Sequence, residues 1–216
     1  MRRILTLGLA FALSTPALAD VPTDVRDRGV AATVHVTDAA DATGGSGVII
    51  ARSGGHAYVL TAQHVAPKAD TVEVRTTRGK PVKAEVLARS AQVDLAVLRF
   101  AAADVSAPIF LGPVGKTPEQ VISVGWEEGA TPTAQVEEIK GTLRLRRPGE
   151  STTVLCWEAV RPPANGRSGG PLIDAAGRVV GIASGHDGSH GYYVHVDEIH
   201  AFLKANALRW LIEDDR

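Results

Sequence analysis

The chain has 216 residues, of which 44% are hydrophobic, and its 23 Lys and Arg against 24 Asp and Glu give a formal net charge of −1. This length allows one large domain or two small ones, and the balanced charge predicts no nucleic-acid partner and no attraction to an anionic membrane surface. Because Cys156 is the single cysteine, no intramolecular disulfide can form, and its apolar neighbours predict a buried, inert thiol.

The first segment, residues 1–19, has the pattern of a secretory signal. Arg2-Arg3 precede an apolar run from Ile4 to Leu13, and Ala17-Leu18-Ala19 supplies the small residues that a signal peptidase requires. An apolar run of about ten residues is too short for a bilayer, which needs roughly 20. We therefore expect cleavage near Ala19-Asp20, a secreted or periplasmic mature protein, and no stable membrane anchor.

The following chain consists mainly of short apolar runs separated by Gly, Pro, Asp and Asn. A stretch rich in proline and glycine, from Ser106 to Glu119, predicts a linker between two sets of strands. Such a series of strands predicts closed or sandwiched antiparallel sheets. The predicted strands lie near 31–37, 46–52, 56–61, 71–76, 80–89 and 94–100, and then near 120–126, 134–146, 153–160, 171–174, 178–184 and 191–196.

Only the C-terminal segment has a clear helical pattern. Asp197 is a suitable N-cap, and apolar residues recur after it at helical spacing. These residues are Ile199, Phe202, Leu203, Ala207 and Trp210. Composition and periodicity therefore predict a mostly β protein with one terminal helix.

The segment from Asn165 to Leu172, NGRSGGPL, places glycines on both sides of Ser168. Glycine adopts positive φ and permits close approach to the backbone, so N–H groups near this serine could converge as in an oxyanion hole. A serine nucleophile also needs a histidine base and a carboxylate that orients it. His64 follows the apolar run YVLTAQ, and Asp94 opens the apolar run DLAVL. Considered alone, each motif is also typical of an ordinary loop or strand end.

A different enzyme class shares part of this pattern, because Gly166 to Gly170 also fits the GxSxG elbow of α/β-hydrolases. In that fold the serine comes first in the chain and the acid and histidine follow. Asp174, Asp187 or Asp197 could supply the acid, with His190, His195 or His200 as the base. The chain after Ser168 is short for the alternating strands and helices of a doubly wound sheet.

The ordered blocks GSGVII, YVLTAQHV, DLAVL and NGRSGGPL resemble the trypsin-like (chymotrypsin-fold) serine proteases. The resemblance covers about residues 44 to 200 and is strongest to the bacterial high-temperature-requirement type, although we expect no appended PDZ domain here. It implies an all-β fold of two six-stranded antiparallel β-barrels with a C-terminal α-helix. The implied N-terminal barrel spans 20–110 and carries His64 and Asp94. A linker spans 111–119, and the C-terminal barrel spans 120–216 and carries Ser168.

The same resemblance implies a serine endopeptidase that acts on a protein or peptide substrate through an acyl-enzyme intermediate. His64 would act as general base and then general acid, Asp94 would fix its tautomer, and the backbone N–H groups of Gly166 and Ser168 would form the oxyanion hole. No cofactor and no metal are implied. Two alternatives stay open: a catalytically silent protease-fold binding module, and an esterase of the α/β-hydrolase type. The oligomeric state stays open too.

The resemblance also implies the positions that form the S1 pocket. They are Pro162 near the base, Ser184, Gly185 and His186 along one side, and Gly191 on the far wall. With no carboxylate at the base, a basic P1 side chain would be buried without a counter-ion. We expect a small or medium apolar P1 residue, or an acidic one if His186 or His190 points inward.

The residue before the proposed nucleophile, Arg167, departs from the digestive members of the family. In those proteases an aspartate at this position pairs with a new N-terminus and so shapes the oxyanion hole, which an arginine cannot do. We therefore expect no such zymogen step, and expect Arg167 to be either solvated or paired with an acid on a neighbouring loop.

Overall fold

A computed structural model describes residues 21–38, 43–66, 68, 70–101, 105–118, 120–127 and 131–212. The predicted signal sequence and its cleavage point near Ala19-Asp20 lie outside these residues. Helix α1 (Thr23–Ala32) comes first. It is followed by β1 (Thr33–Asp38), β2 (Thr43–Ser53), β3 (His56–Thr61), the 3-10 helix Gln63–Val65, β4 (Thr71–Arg75), β5 (Val82–Ser90) and β6 (Leu95–Ala101).

Strands β1 to β6 form a closed antiparallel barrel in the order β1-β2-β3-β6-β5-β4. The barrel closes because β1 pairs with β2 on one side and with β4 on the other. Strand β4 alternates exposed and buried residues along its length, whereas β3 and β6 are buried along nearly all of theirs. The barrel interior contains apolar side chains from every strand, including Val34, Ile49, Val59, Val74, Ala84 and Leu98.

The second half is one antiparallel sheet of seven strands in the order β8-β7-β11-β12-β13-β10-β9. A single residue, Glu138, separates the two edge strands β8 and β9, so the chain passes directly from one edge of the sheet to the other there. The predicted strand 134–146 is thus two strands. The strands are β7 (Val121–Trp126), β8 (Pro132–Glu137), β9 (Ile139–Arg146), β10 (Thr153–Ala159), β11 (Pro171–Asp174), β12 (Val179–His186) and β13 (Gly191–His195).

The predicted C-terminal helix is α2 (Val196–Ala205), but its N-cap is His195 and not Asp197. The His195 ring accepts the backbone N–H of Asp197 at 3.1 Å, while the Asp197 carboxylate accepts the N–H of Gly115 in the linker. Ile199, Phe202 and Leu203 are buried as predicted. Two residues of the predicted stripe lie beyond the helix: Ala207 has a positive φ of 57°, and Trp210, in the 3-10 helix Arg209–Leu211, is 42% exposed.

Helix α1 was not predicted, and it packs on the second half of the chain. Its buried residues Val25, Gly29 and Ala32 lie on one face. A Cβ at Gly29 would approach Ile173 Cδ1 to 3.0 Å and Val124 Cγ2 to 3.2 Å, so only glycine fits this contact comfortably. The helix therefore docks against β7 and β11 through its smallest residues.

A single cluster of buried side chains connects the two halves. The barrel contributes residues such as Val48, Leu60 and Val97, and the second sheet contributes Ile122, Ile173, Ile182 and Val194. Cys156 also lies in this cluster, where burial raises the pKa of its thiol to about 12. The predicted all-β class with a C-terminal helix is confirmed, and this architecture excludes the doubly wound sheet of an α/β-hydrolase. Among the helices that the structure describes, none is long and apolar enough to cross a bilayer.

Candidate active site

His64 and Asp94 form a hydrogen-bonded pair at one end of the barrel. His64 lies in the 3-10 helix that follows β3, and Asp94 lies in the turn that enters β6. The Nδ1 atom of His64 is 2.9 Å from Asp94 Oδ2 and 3.0 Å from Oδ1, and the backbone N–H of His64 also donates to Oδ1 at 3.0 Å. The His64 side chain is 42% exposed and that of Asp94 only 2%. A buried carboxylate thus holds a histidine whose second ring nitrogen makes no hydrogen bond within the described part of the chain.

The backbone of Asp94 is unusual, because its φ is +56°. Few residues other than glycine adopt this left-handed conformation, and Asp and Asn tolerate it better than most. The sequence motif marks this position only as an acid before an apolar strand, so the local conformation had no signal in the sequence.

Two further side chains engage the Asp94 carboxylate from the second half of the chain. The Ser184 hydroxyl of β12 donates to Oδ2 at 2.5 Å, and the Arg147 guanidinium lies 2.9 Å from the same oxygen. Burial alone would raise the pKa of Asp94, but the hydrogen bond and charge of His64, with contributions from Arg147 and Ser184, hold that pKa below its ordinary value. Asp94 is therefore ionised at neutral pH.

Ser168 lies in a tight turn before β11 that packs directly on the barrel. The backbone N–H of Ser46 donates to the Ser168 carbonyl at 2.7 Å. Gly169 has a φ of +83°, and a Cβ there would lie 2.2 Å from the Ser46 carbonyl and 2.3 Å from Thr61 Oγ1. The turn thus rests on the end of β3, where the short helix carrying His64 begins. Within the described chain, no hydrogen bond joins the Ser168 hydroxyl to the His64 ring.

The N–H groups around this turn fall into two sets. Those of Arg167, Gly169 and Gly170 donate to backbone carbonyls at 2.8 to 3.2 Å. Those of Gly166 and Ser168 donate to no acceptor in the described part of the protein. Gly166 has a φ of +87°, which glycine adopts without strain. Both groups assigned to the oxyanion hole are therefore available to an external acceptor.

Arg167 is fully buried and is paired with an acid. Its guanidinium lies 3.2 Å from Glu127 Oε1 and donates to the backbone carbonyls of Thr133 and Ser123. A Cβ at Gly125 would come within 2.9 Å of Arg167, so β7 leaves just enough room for this side chain. Burial lowers the pKa of Arg167, and Glu127 opposes the shift. Of the two arrangements expected from the sequence, the paired one is observed.

Three of the residues assigned to S1, Ser184, Gly185 and His186, line one pocket together with Arg147 and Tyr192. Gly191 packs against the segment before the turn, because a Cβ there would lie 2.7 Å from the Arg161 carbonyl and 2.8 Å from Pro163 Cδ. The placement of Pro162 near the base and of Gly191 on the far wall stays a prediction. Ser184 turns its hydroxyl to Asp94.

The two histidines considered for an acidic P1 group contact groups of the β12–β13 hairpin and of β10. His186 Nδ1 accepts the N–H of Gly188, and His190 lies 3.6 Å from each of Glu158 and Asp187. Gly185 has open space where a side chain would project.

Sequence reasoning missed one residue of this site. The alternation of arginine and leucine from Arg144 to Arg146 is typical of a strand with one solvent-facing side, and Arg144 and Arg146 are exposed. Arg147 lies at the next inward position of the same alternation, and its side chain reaches Asp94. The second consecutive arginine was the signal that could have marked it.

Comparison with known proteins supports the resemblance seen in the motifs. A family model described as a trypsin-like peptidase domain matches residues 45–182. The serine protease Do-like HtrA of Lactobacillus helveticus is 34% identical over 146 residues, which cover 65% of this chain and 35% of that protein. A probable periplasmic serine endoprotease, DegP-like, of Hahella chejuensis is 34% identical over 65% of this chain and 29% of its own length. The chain thus spans about a third of these curated relatives.

Among solved structures, the active form of the Rv3671c protease from M. tuberculosis is similar over most of the chain. It has a TM-score of 0.71 and 26% identity, with 94% of this chain and 93% of that chain covered. The inactive form of the same protease has a TM-score of 0.70 and 27% identity.

Proposed function

The chain belongs to the trypsin-like peptidase domain family, and we propose that it is a serine endopeptidase with His64, Asp94 and Ser168 as its catalytic triad. The observation that carries this proposal is the pairing of the buried Asp94 with both the ring and the backbone N–H of His64. This pairing occurs on the segment against which the Ser168 turn packs. An inert loop needs no buried carboxylate aimed at a half-exposed histidine.

The arrangement supports a two-step reaction. With its Nδ1–H held by Asp94, His64 presents Nε2 to take the hydroxyl proton of Ser168 as Oγ attacks a peptide carbonyl. The N–H groups of Gly166 and Ser168 donate to the oxyanion that forms. His64 then gives the proton to the leaving amine, which leaves an acyl-enzyme. Water then attacks the acyl carbon while His64 takes one of its protons, the ester bond to Ser168 breaks, and His64 returns the proton to Ser168 Oγ as the acid product departs.

The substrate we propose is a protein or peptide with a small or medium apolar P1 residue. The positions assigned to S1 carry no carboxylate that could pair with a basic side chain, which supports this preference over Arg or Lys. A cleavage profile dominated by Arg or Lys at P1 would contradict it.

The location we propose is the periplasm or the medium, after cleavage near Ala19-Asp20. The apolar run and the small residues of segment 1–19 support this location. Intact mass of the exported protein is expected to match a chain that begins at Asp20. A mature cytoplasmic species that still begins at Met1 would contradict the proposal.

The decisive test replaces the proposed nucleophile. Ser168→Ala is expected to lower turnover by several orders of magnitude and to abolish labelling by a fluorophosphonate, because no other group supplies the attacking oxygen. The matched control is Ser189→Ala, which removes an exposed hydroxyl in the β12–β13 hairpin. Circular dichroism checks that both variants are folded. Casein cleavage that survives Ser168→Ala would overturn the proposal, and a wild-type protein that never labels would favour a silent binding module.

A further inference from the structure

Arg147 stands apart from the other arginines of its strand. It follows the last residue of β9, and its side chain is 26% exposed, whereas that of Arg144 is 60% exposed. Its Nη2 atom lies 2.9 Å from Asp94 Oδ2 and also donates to the Ser184 hydroxyl, which in turn donates to Asp94. A cation from the second half of the protein thus reaches the carboxylate that orients His64.

The groups that contact the Asp94 carboxylate come from three elements. His64 approaches from the 3-10 helix after β3, Arg147 from the turn after β9, and β12 adds the neutral hydroxyl of Ser184. Cys156 of β10 is neutral because burial raises its pKa to about 12. Glu198 of α2 accepts the N–H of Leu155 and faces Arg144 at 3.7 Å. Asp94 is therefore shared between one permanent cation and one histidine that can gain a proton.

Because Arg147 and His64 share the Asp94 carboxylate, the arginine changes the electrostatic environment of the histidine. An aspartate with no other partner stabilises the protonated imidazole beside it, because opposite charges attract most strongly at short range and low exposure. A guanidinium on the same carboxylate offsets part of that attraction and repels the imidazolium. It also donates a charge-assisted hydrogen bond to the carboxylate oxygen. This bond fixes the orientation of the carboxylate group with which His64 pairs.

We propose that Arg147 is a positioning residue of the site, which holds Asp94 in place and weakens its pull on a His64 proton, so that His64 stays neutral at lower pH. The inference rests on the proposed function, since a neutral His64 is the form that accepts the Ser168 proton. The arginine lowers the pH at which catalysis begins. The turn between β9 and β10, which carries Arg147, thereby affects the protonation of His64 on the barrel.

The first test measures His64 itself, without any need for activity. In a Ser168→Ala background, NMR titration of the His64 ring is expected to show a pKa higher by about half to one unit when Arg147→Met is added. Arg147→Lys keeps the charge and is expected to restore most of the wild-type value. The matched control is Arg146→Met, which removes the same charge from the neighbouring exposed position. An unchanged His64 titration in Arg147→Met, or an equal shift in Arg146→Met, would overturn the proposal.

The second test uses the active enzyme. The acid limb of kcat/KM is expected to move to higher pH by the same amount in Arg147→Met and to stay in place in Arg146→Met. If Arg147→Met instead raises kcat/KM equally at every pH, the arginine only obstructs the cleft and the proposal is wrong. An inactive wild type whose His64 still responds to Arg147 would contradict the proposed function and support the electrostatic link.

A third measurement serves if Arg147→Met does not fold. In the wild type labelled with 15N-arginine, the guanidinium resonance of Arg147 is expected to move with the titration of His64, because both groups contact one carboxylate. A resonance that stays fixed through that titration would overturn the proposal.

Discussion

Asp94 determines more of the site geometry than any other residue. One side chain accepts hydrogen bonds from the ring and backbone of His64 and from Ser184, and it also pairs with Arg147. Its φ of +56° is a conformation that costs most non-glycine residues about 1 kcal/mol or more. The hydrogen bonds offset this cost, so the strained turn and the histidine pairing depend on each other.

Asp94→Asn separates the charge of this residue from its shape. Asparagine tolerates the left-handed conformation, but its amide does not stabilise an imidazolium or enforce the same tautomer. We expect kcat to fall by about 10⁴, with a loss of about 1–3 kcal/mol in the free energy of unfolding because Arg147 loses its counter-ion. Asp94→Ala serves for comparison and should melt at a still lower temperature. Peptide hydrolysis within tenfold of wild type for Asp94→Asn would contradict the proposed role.

Sequence motifs located the triad candidates but not the residues that support them. Ser168, His64 and Asp94 each occur in a short motif beside glycines or an apolar strand, and it is the motifs together and in order that predict chemistry. Arg147 and the turn carrying Arg167 depend on contacts between distant strands, such as Arg147 with Asp94 and Arg167 with Glu127. No local pattern encodes such pairs, since only the packed fold brings them together.

At the scale of elements, the strands were predictable and two features were not. Period-two alternation or short apolar runs marked every strand, but the break at Glu138 between β8 and β9 carries no glycine or proline signal. Helix α1 was missed because its buried face consists of Val25, Gly29 and Ala32. Such small residues give only a weak apolar stripe in the sequence. Their small size matters because it lets the helix pack closely on the side chains of β7 and β11, which the local sequence does not show.

Helix α2 begins at a cap that depends on pH. The buried His195 ring accepts the N–H of Asp197 at 3.1 Å and packs on Trp157, with ring centroids 4.3 Å apart. Burial lowers the pKa of His195, although the carboxylates of Asp197 and Glu198 oppose the shift. As pH falls below about 6.5, the unfolded chain therefore binds a proton before the folded one does. The stability contributed by neutral His195 is present above that pH and is lost as pH falls toward the folded-state value.

His195→Asn is expected to reduce this dependence, since asparagine caps a helix and does not titrate. Between pH 7 and 5 the wild type should lose about 1 kcal/mol more unfolding free energy than the variant. The variant should be less stable at pH 7 because the ring no longer packs on Trp157. His35 has a pKa lowered in the same direction by burial and by Arg75, so part of the slope will remain. Urea denaturation at several pH values measures the difference, and equal slopes in wild type and variant would contradict the expectation.

At the scale of the whole molecule, the site exists only where the two halves meet. Ser46 of β2 is the contact that joins them most directly, because its hydroxyl donates to the Gly166 carbonyl at 2.8 Å and accepts the N–H of Trp126 at 2.8 Å. Its backbone N–H holds the Ser168 carbonyl. The shared apolar cluster of Val48, Ile122 and their neighbours adds a continuous core under these bonds. The barrel and the second sheet are therefore expected to unfold together.

Ser46→Ala tests whether this junction supports both stability and chemistry. The substitution leaves the Trp126 N–H and the Gly166 carbonyl without their buried partner, so we expect a loss of about 2–4 kcal/mol in unfolding free energy. The Gly166 peptide also loses its anchor, and a misplaced oxyanion donor should lower kcat by about 10- to 100-fold with little change in KM. The matched control is Ser53→Ala, which removes an exposed hydroxyl from the end of the same strand.

Calorimetry of wild type and variant should show one transition each, with equal calorimetric and van't Hoff enthalpies. Two separate transitions in the wild type would show that the halves fold independently, and wild-type turnover in Ser46→Ala would show that the nucleophile turn does not depend on the barrel.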